Sequence, residues 1–248
     1  ETLWIGHNGA GLNKLSLDYS SFPPRVKVTR LYREEKTNPS MLLNGNISGI
    51  VEDSSGALWI ATWQGGLCRF DPVTETFVRF VHAKERPHSI CMNFLRALQF
   101  DARGRLWIAS EGNGLDRLDM SDLNLQQPEK TRFRHFHTTP AGQPGGISFN
   151  TVRALLPERS GRLWVGTDGG GLNLYEPRTD SFVAYAHDKS NLASIVNDRV
   201  VSLFEDNAGA LWCGTWGGGV SRYSPRKEKF KNSQAMQNVA DHLSSKFL

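Results

Sequence analysis

Residues 211–220 read LWCGTWGGGV, and the same ten-residue phrase occurs four times before it: LWIGHNGAGL from Leu3, LWIATWQGGL from Leu58, LWIASEGNGL from Leu106 and LWVGTDGGGL from Leu163. The Leu-Trp pairs lie 55, 48, 57 and 48 residues apart and take up five of the seven tryptophans. Each copy is a short apolar run, a glycine-rich turn and the start of a second apolar run, which predicts strand, tight turn, strand.

A second phrase precedes the last four copies: ISGIVEDSSG from Ile47, LRALQFDARG from Leu95, VRALLPERSG from Val152 and VVSLFEDNAG from Val200. Its first apolar residue always stands 11 positions before the Leu of Leu-Trp. Spacing that holds while other segments vary marks a two-strand hairpin. Its turn carries Asp53, Asp101, Glu158 or Asp206 three residues before a glycine, where an acidic side chain bonds the turn backbone. Downstream come Leu67-Cys68-Arg69-Phe70, Leu172-Asn173-Leu174-Tyr175 and Val220-Ser221-Arg222-Tyr223, a proline-containing turn, and then Phe77-Val78-Arg79-Phe80 or Phe182-Val183-Ala184-Tyr185. Each period therefore holds four short strands, a to d.

Four-stranded repeats of about 40–50 residues are the signature of β-propeller blades. No segment between the strands sustains a helical period, which excludes a parallel α/β arrangement. The expected fold is all-β: a β-propeller of four-stranded antiparallel blades, four complete and one partial, in a single region over 1–248. The repeats start near 3, 58, 106, 163 and 211. Leu248 stands 18 residues after Phe230, as Val200 does after Phe182, and so marks another strand a. The chain is expected to be cut inside the repeat at both ends and to come from a larger, seven-blade type of propeller, with a shortened five-blade ring as the alternative.

Composition agrees: 24 Gly, 13 Phe and 7 Trp stand beside only 4 Met. No apolar run approaches the ~18 residues of a membrane helix. The net charge of +4 is spread among interspersed acids, so no nucleic-acid surface is expected. Cys68, Cys91 and Cys213 have no metal-ligand spacing and are odd in number, so they read as buried apolar residues, with no metal and no cofactor implied. The chain opens Glu1-Thr2-Leu3-Trp4, so any targeting address is expected to lie outside this segment.

Superposing the repeats separates framework from variable positions. Trp4, Trp59, Trp107, Trp164 and Trp212 read as filling between sheets. The glycine clusters read as hairpin turns, because a strand follows where a phosphate loop needs a helix. His82 and His187, with His137 one residue displaced, end strand d and read as loop-stabilising hydrogen bonds. One position varies inside the constant frame, just after the Thr or Ser of strand b: Asn8, Trp63, Glu111, Asp168 and Trp216. All five fall at the end of the blade shared by the b–c turn and the d–a linker, where the repeat length also varies and binding is expected. Two indoles, an amide and two carboxylates suit a sugar, with aromatic faces on pyranose C–H groups and carboxylates accepting from hydroxyls. The competing reading is that the tryptophans cover neighbouring blades and the acids are solvated. The second residue of strand a is Ser48, Arg96, Arg153 or Val201. Arg96 and Arg153 are candidates for anionic ligand groups such as uronates, or for structural ion pairs.

With these residues in view, the chain resembles the two-component regulator propeller repeat family. The stretch NDRVVSLFEDNAGALWCGTWGGGVSRY, Asn197 to Tyr223, follows the family pattern nearly throughout, and Tyr185-Ala186-His187-Asp188 supplies its linker. Departures are local: Ala61 and Ala109 replace a glycine, Cys213 replaces an isoleucine, and Asp116-Arg117-Leu118 lacks the aromatic. The resemblance implies a periplasmic, non-catalytic ligand-sensing domain of a membrane-anchored histidine kinase, hybrid kinase or diguanylate cyclase. It further implies an oligosaccharide or similar solute as ligand, a homodimer in the full receptor, and contact with the membrane only through segments outside this one. The alternatives are a protein-interaction or dimerisation propeller and a propeller enzyme, since the repeats distantly resemble the streptogramin lyases. An enzyme would need an acid and base such as Glu111 and Asp168 about 5–9.5 Å apart.

Overall fold

The computed structural model describes residues 1–139, 145–224 and 229–233. Leu248, expected to begin another strand, lies outside them. Apart from two short 3-10 turns, every element among the described residues is a β-strand. The chain divides into two compact units, Glu1–Phe136 and His137–Leu248.

The first unit holds three sheets. β1 (Thr2–Gly6), β2 (Leu12–Asp18) and β3 (Arg25–Tyr32) form the first. β4 (Ile47–Glu52), β5 (Leu58–Thr62), β6 (Gly66–Asp71) and β7 (Thr76–Phe80) form the second. The third is β8 (Leu95–Phe100), β9 (Leu106–Ser110), β10 (Leu115–Leu118) and β11 (Arg134–Phe136). The second unit holds two sheets, β12 (Val152–Pro157) to β15 (Ser181–Tyr185) and β16 (Val200–Glu205) to β19 (Lys229–Ser233). Between them in sequence run β13 (Leu163–Thr167), β14 (Leu172–Glu176), β17 (Leu211–Thr215) and β18 (Gly219–Ser224). Every sheet is an antiparallel meander in chain order. The blades read from the repeat are therefore the sheets of the fold, with strand b first in the three-stranded one.

Three repeated devices explain why this phrase folds into this sheet. The first is the acid of the a–b turn. Asp101 Oδ1 accepts from the backbone of Arg103 at 2.9 Å and Arg105 at 3.1 Å, closing the turn. Its Oδ2 accepts the indole N–H of Trp107 at 2.8 Å and Nε of Arg105 at 2.7 Å. Asp53 does the same for Trp59 at 3.0 Å and Arg69 at 3.0 Å. Glu158 takes the indole N–H of Trp164 and Nε of Arg162, and Asp206 takes the indole N–H of Trp212 at 2.8 Å. The guanidinium in each case lies over the indole ring, 5.5–6.0 Å from its centroid. The buried tryptophan thus has a partner for its one polar atom, as burial demands.

The second device is the b–c turn. The hydroxyls of Thr62, Ser110, Thr167 and Thr215 donate to the carbonyl oxygens of Gly66, Gly114, Gly171 and Gly219 at 2.7–2.9 Å. Gly171 shows why the exit residue has no side chain: φ is +77° and a Cβ there would meet the Tyr185 carbonyl oxygen at 2.3 Å.

The third device was not legible in the repeat. The second residue of strand c is buried in four different chemistries, Cys68, Asp116, Asn173 and Ser221. In the last three its side-chain oxygen accepts the backbone N–H of the linker residue four before strand a: Cys91 at 2.7 Å, Ser148 at 2.9 Å and Val196 at 3.0 Å. Each of these three sheets is thereby stitched to its own incoming linker.

Packing runs from one sheet to the next. Trp59 packs with Leu95, Leu98, Leu106 and Ile108 of the following sheet, and Trp164 with Val200, Leu211 and Cys213. Trp59, Trp107 and Trp164 are fully buried, as the filling role requires. Trp212 is 38% exposed, because its face of β16–β19 carries no further sheet among the described residues. All three cysteines are buried and reduced.

Candidate functional site

The variable position of strand b is held by the backbone. The N–H groups of Trp63, Glu111, Asp168 and Trp216 donate to the carbonyls of Asn46, Phe94, Thr151 and Arg199 at 2.8–3.0 Å, each the residue just before strand a. Asn8 forms an isolated bridge with Asn46 and is exposed. The side chain of the variable position therefore always stands beside the start of strand a.

A bulge decides what it meets there. The pairing of strands a and b slips by one residue between Ile47 and Gly49, Leu95 and Ala97, Val152 and Ala154, and Val200 and Ser202. The unpaired residue in each case is Ser48, Arg96, Arg153 or Val201, the very position singled out in the sequence. A bulge re-aims the side chain it carries. Here it joins the two groups of candidates: Arg96 bonds Glu111, and Arg153 bonds Asp168 through Nε at 3.0 Å and through Nη2.

The two units then differ. In the first, Arg96 lies 4.6 Å from the ring centroid of Trp63, which also meets the Phe94 ring edge-on at 5.4 Å. Trp63 is half-buried, its face covered by a guanidinium whose charge Glu111 balances. This is the neighbour-covering role weighed against sugar binding. In the second, Asp168 receives two arginines, since Arg199 Nε also donates to its Oδ1 at 2.7 Å. Arg199 lies 5.7 Å from the Trp216 ring centroid, and Trp216 is 65% exposed, with no following sheet among the described residues to cover it as β8 covers Trp63. Phe149, 41% exposed, borders the same turn, its ring 3.3 Å from where a Cβ on Gly169 would stand.

The hydrogen bond from Arg199 holds the Asp168 carboxyl below the usual carboxylate range, aided by Arg153 and opposed by partial burial. A general acid needs the opposite shift. Arg199 is not marked by the repeat pattern, which sets apart the second residue of strand a. The signal lies two positions earlier, where Asn46, Phe94 and Thr151 stand in the other repeats.

His82 and His187 place Nδ1 at 2.9 and 2.8 Å from the carbonyls of Ile90 and Ile195, the loop-stabilising role expected of them. No cluster of metal-ligating side chains occurs among the described residues. Among them no helix is long and apolar enough to cross a membrane.

Comparison with known proteins bears on these repeats directly. The family described as "Two component regulator propeller" matches residues 41–64, 146–169 and 194–217, each a linker with strands a and b. No curated protein sequence matches the chain. Among solved structures it is similar to the extracellular domain of the hybrid two-component system BT3049 from B. thetaiotaomicron, at 22% identity and a TM-score of 0.70 over 96% of this chain and 27% of that one. It is also similar to the extracellular domain of BT4673 from the same organism, at 23% identity and a TM-score of 0.62 over 89% of this chain and 25% of that one. A third likeness is to virginiamycin B lyase from Staphylococcus aureus, at 14% identity and a TM-score of 0.62 over 95% of this chain and 67% of that one. The chain spans about a quarter of the length of these two extracellular domains, and identities this low speak to the fold. Three stretches of the chain match the two-component regulator propeller repeat, and its sheets are the blades of a β-propeller fold.

Proposed function

We propose that this chain is part of the extracytoplasmic, ligand-sensing input of a membrane-anchored two-component-type receptor, that it binds an oligosaccharide at the b–c end of its blades, and that it performs no catalysis itself. The family of its repeats and the sensor domains sharing its fold support the setting. The observation that carries the binding role is Trp216. It occupies the repeat position whose backbone is clipped to strand a, and its indole, 65% exposed in the last sheet of the described residues, lies beside Arg199, whose Nε bonds Asp168. An exposed aromatic held rigidly beside fixed polar groups is what a pyranose stacks on. Sensing then follows from differential affinity of the ligand for two states of the receptor. A homodimer in the full receptor is part of the same proposal.

The purified chain titrated against a panel of oligosaccharides, followed by tryptophan fluorescence and calorimetry, tests this. Binding is expected for at least one glycan and is lost in Trp216→Ala. A Trp216→Ala variant with undiminished affinity refutes the site.

A further inference from the structure

We propose that the groove between the β4–β7 and β8–β11 sheets, at the a–b end of the first unit, binds a small aromatic ammonium compound. The groove lies at the opposite end of these sheets from Trp63, and the proposal is independent of the sensor reading.

The groove is open to solvent and measures about 410 Å³, within the ~300–1,000 Å³ range of small-molecule sites. Both sheets that form it are described, so its opening does not come from a neighbour outside the described residues. Three departures from the repeat line it. Phe100 ends strand a where three other repeats have Glu52, Pro157 and Glu205. Met120 stands five residues after the start of strand c, where three others have Pro72, Pro177 and Pro225. Ser54 follows the turn acid where the fourth repeat has Arg159. The junction of the β12–β15 and β16–β19 sheets shows what those other residues do. There Arg159 donates from its backbone N–H to Glu205 at 2.9 Å and from Nη2 to Asn207 at 3.3 Å, bridging the two a–b turns. With serine and phenylalanine at the corresponding positions of the first unit, no such bridge is made.

The lining chemistry selects the ligand. Phe100 and Met120 are half-buried against the Trp59 cluster and give the groove an apolar wall. Arg69 also lines it, with a fixed guanidinium: Nε bonds Asp53 at 3.0 Å, Nη2 bonds Ser55 Oγ at 2.7 Å, and the group lies over Trp59. Arg69 and Asp53 thus satisfy each other's charge. Glu52 differs, because its exposed carboxylate borders the groove with no hydrogen bond or ion pair among the described residues. An aromatic ring packs favourably on phenylalanine, on a thioether and on a guanidinium plane. An ammonium on a short arm from that ring gives Glu52 its partner in a charge-assisted hydrogen bond. A neutral aromatic leaves the carboxylate without an opposite charge, and an anionic one meets it as a like charge.

The chain has four methionines, so methyl-labelled methionine NMR reads the groove through Met120, whose signal is identified by its loss in Met120→Leu. The probes are 2-phenylethylamine, the neutral 2-phenylethanol and the anionic 3-phenylpropanoate. The amine is expected to shift the Met120 signal saturably and to bind roughly threefold or more tighter than the alcohol, with the gain shrinking as salt is raised and the propanoate weakest. Glu52→Gln, which keeps the shape and removes the charge, is expected to bring the amine-to-alcohol ratio close to one. Ser54→Arg, which supplies the side chain of the bridged junction, is expected to weaken amine and alcohol alike; the loss for the uncharged alcohol separates occlusion from charge repulsion. Glu52 and Ser54 are both exposed, and unmoved signals of the other methionines in each variant check that the fold is kept. Trp216→Ala is expected to leave all three affinities unchanged, so failure of the glycan site and failure of this one are read separately. No saturable Met120 shift with any probe, shifts shared equally by all four methionines, equal affinities for amine and alcohol, or an unchanged ratio in Glu52→Gln each overturn the proposal.

Discussion

Asp101→Ala and Asp206→Ala delete the same atoms from the same turn of two repeats, and the structure predicts very different losses. The Asp101 side chain is 4% exposed and its indole partner Trp107 is fully buried. Removing the carboxylate takes the acceptor from the Trp107 N–H, from Arg105 Nε and from two turn amides. A buried donor deprived of its acceptor costs about 1–3 kcal/mol, and breaking a buried ion pair by deleting one partner costs about 3–5 kcal/mol. These terms overlap, so the loss for Asp101→Ala is about 3–4 kcal/mol. Asp206 makes the same turn and indole bonds, but its side chain is 24% exposed and Trp212 is 38% exposed. Water replaces the lost acceptor there, and the loss is expected to be less than about half as large. Asp101→Asn keeps an oxygen for the turn amides but turns an NH2 toward donors, so it retains most of the defect. Urea unfolding, with hydrogen exchange of the β8–β9 and β16–β17 amides to read each unit separately, measures both. Burial by itself would raise the Asp101 pKa, but the bonds from Trp107 and Arg105 outweigh it and hold it below the ordinary value. The stabilisation is therefore present above the unfolded pKa of about 3.9 and lost as pH falls through the lower folded value. Equal losses for the two alanine variants would refute the claim that the acid serves the buried indole and not merely the turn.

His135 places Nδ1 at 2.6 Å from Asp116 Oδ1 and Nε2 at 2.9 Å from the Pro87 carbonyl, so both nitrogens donate and the ring is cationic. The bond to Asp116 raises its pKa, with burial opposing. Its stabilisation is complete below about pH 6.5 and lost as pH rises through the higher folded value, so the melting temperature of the first unit should fall on the alkaline side and that slope should vanish in His135→Gln. Burial pushes Cys68 up to about 11 and Cys213 up to about 12, and it raises Cys91 as well. A thiol reagent at pH 8 is therefore expected to modify none of the three until the chain is unfolded. Trp63→Ala removes the ring under Arg96 and beside Phe94 and should cost about 1–2 kcal/mol of stability without touching glycan affinity. Trp216→Ala should do the reverse, which a thermal melt run beside the titration decides.

The blades were legible because their determinants are local. Leu-Trp, the acid three residues before a glycine and the Gly-rich turn recur at fixed spacing, and each acts within one hairpin. The framework role of the five tryptophans follows from the same repetition. The structure adds that the turn acid is also the indole's partner, a contact six residues away that spacing alone leaves unassigned. The stitch from strand c to the linker was hidden for another reason. Cys68, Asp116, Asn173 and Ser221 share a buried position and not a residue type, so sequence comparison among repeats shows variation where the fold imposes one constraint.

Among the candidate residues, the sequence by itself determined which positions vary within a constant frame, because backbone turns repeat with the phrase that encodes them. It left Trp63 and Trp216 equivalent, and Arg96 and Arg153 as ligand groups or ion-pair partners. Only the tertiary structure distinguishes their surroundings. The bulge at the second residue of strand a carries Arg96 to Glu111 and Arg153 to Asp168, and the neighbouring sheet brings Arg96 onto Trp63 and Arg199 to Asp168. Whether a guanidinium covers an indole, as Arg96 covers Trp63, and whether a carboxylate meets one cation or two, depends on side chains some 30 residues apart, a distance at which the pattern of a single repeat carries no information.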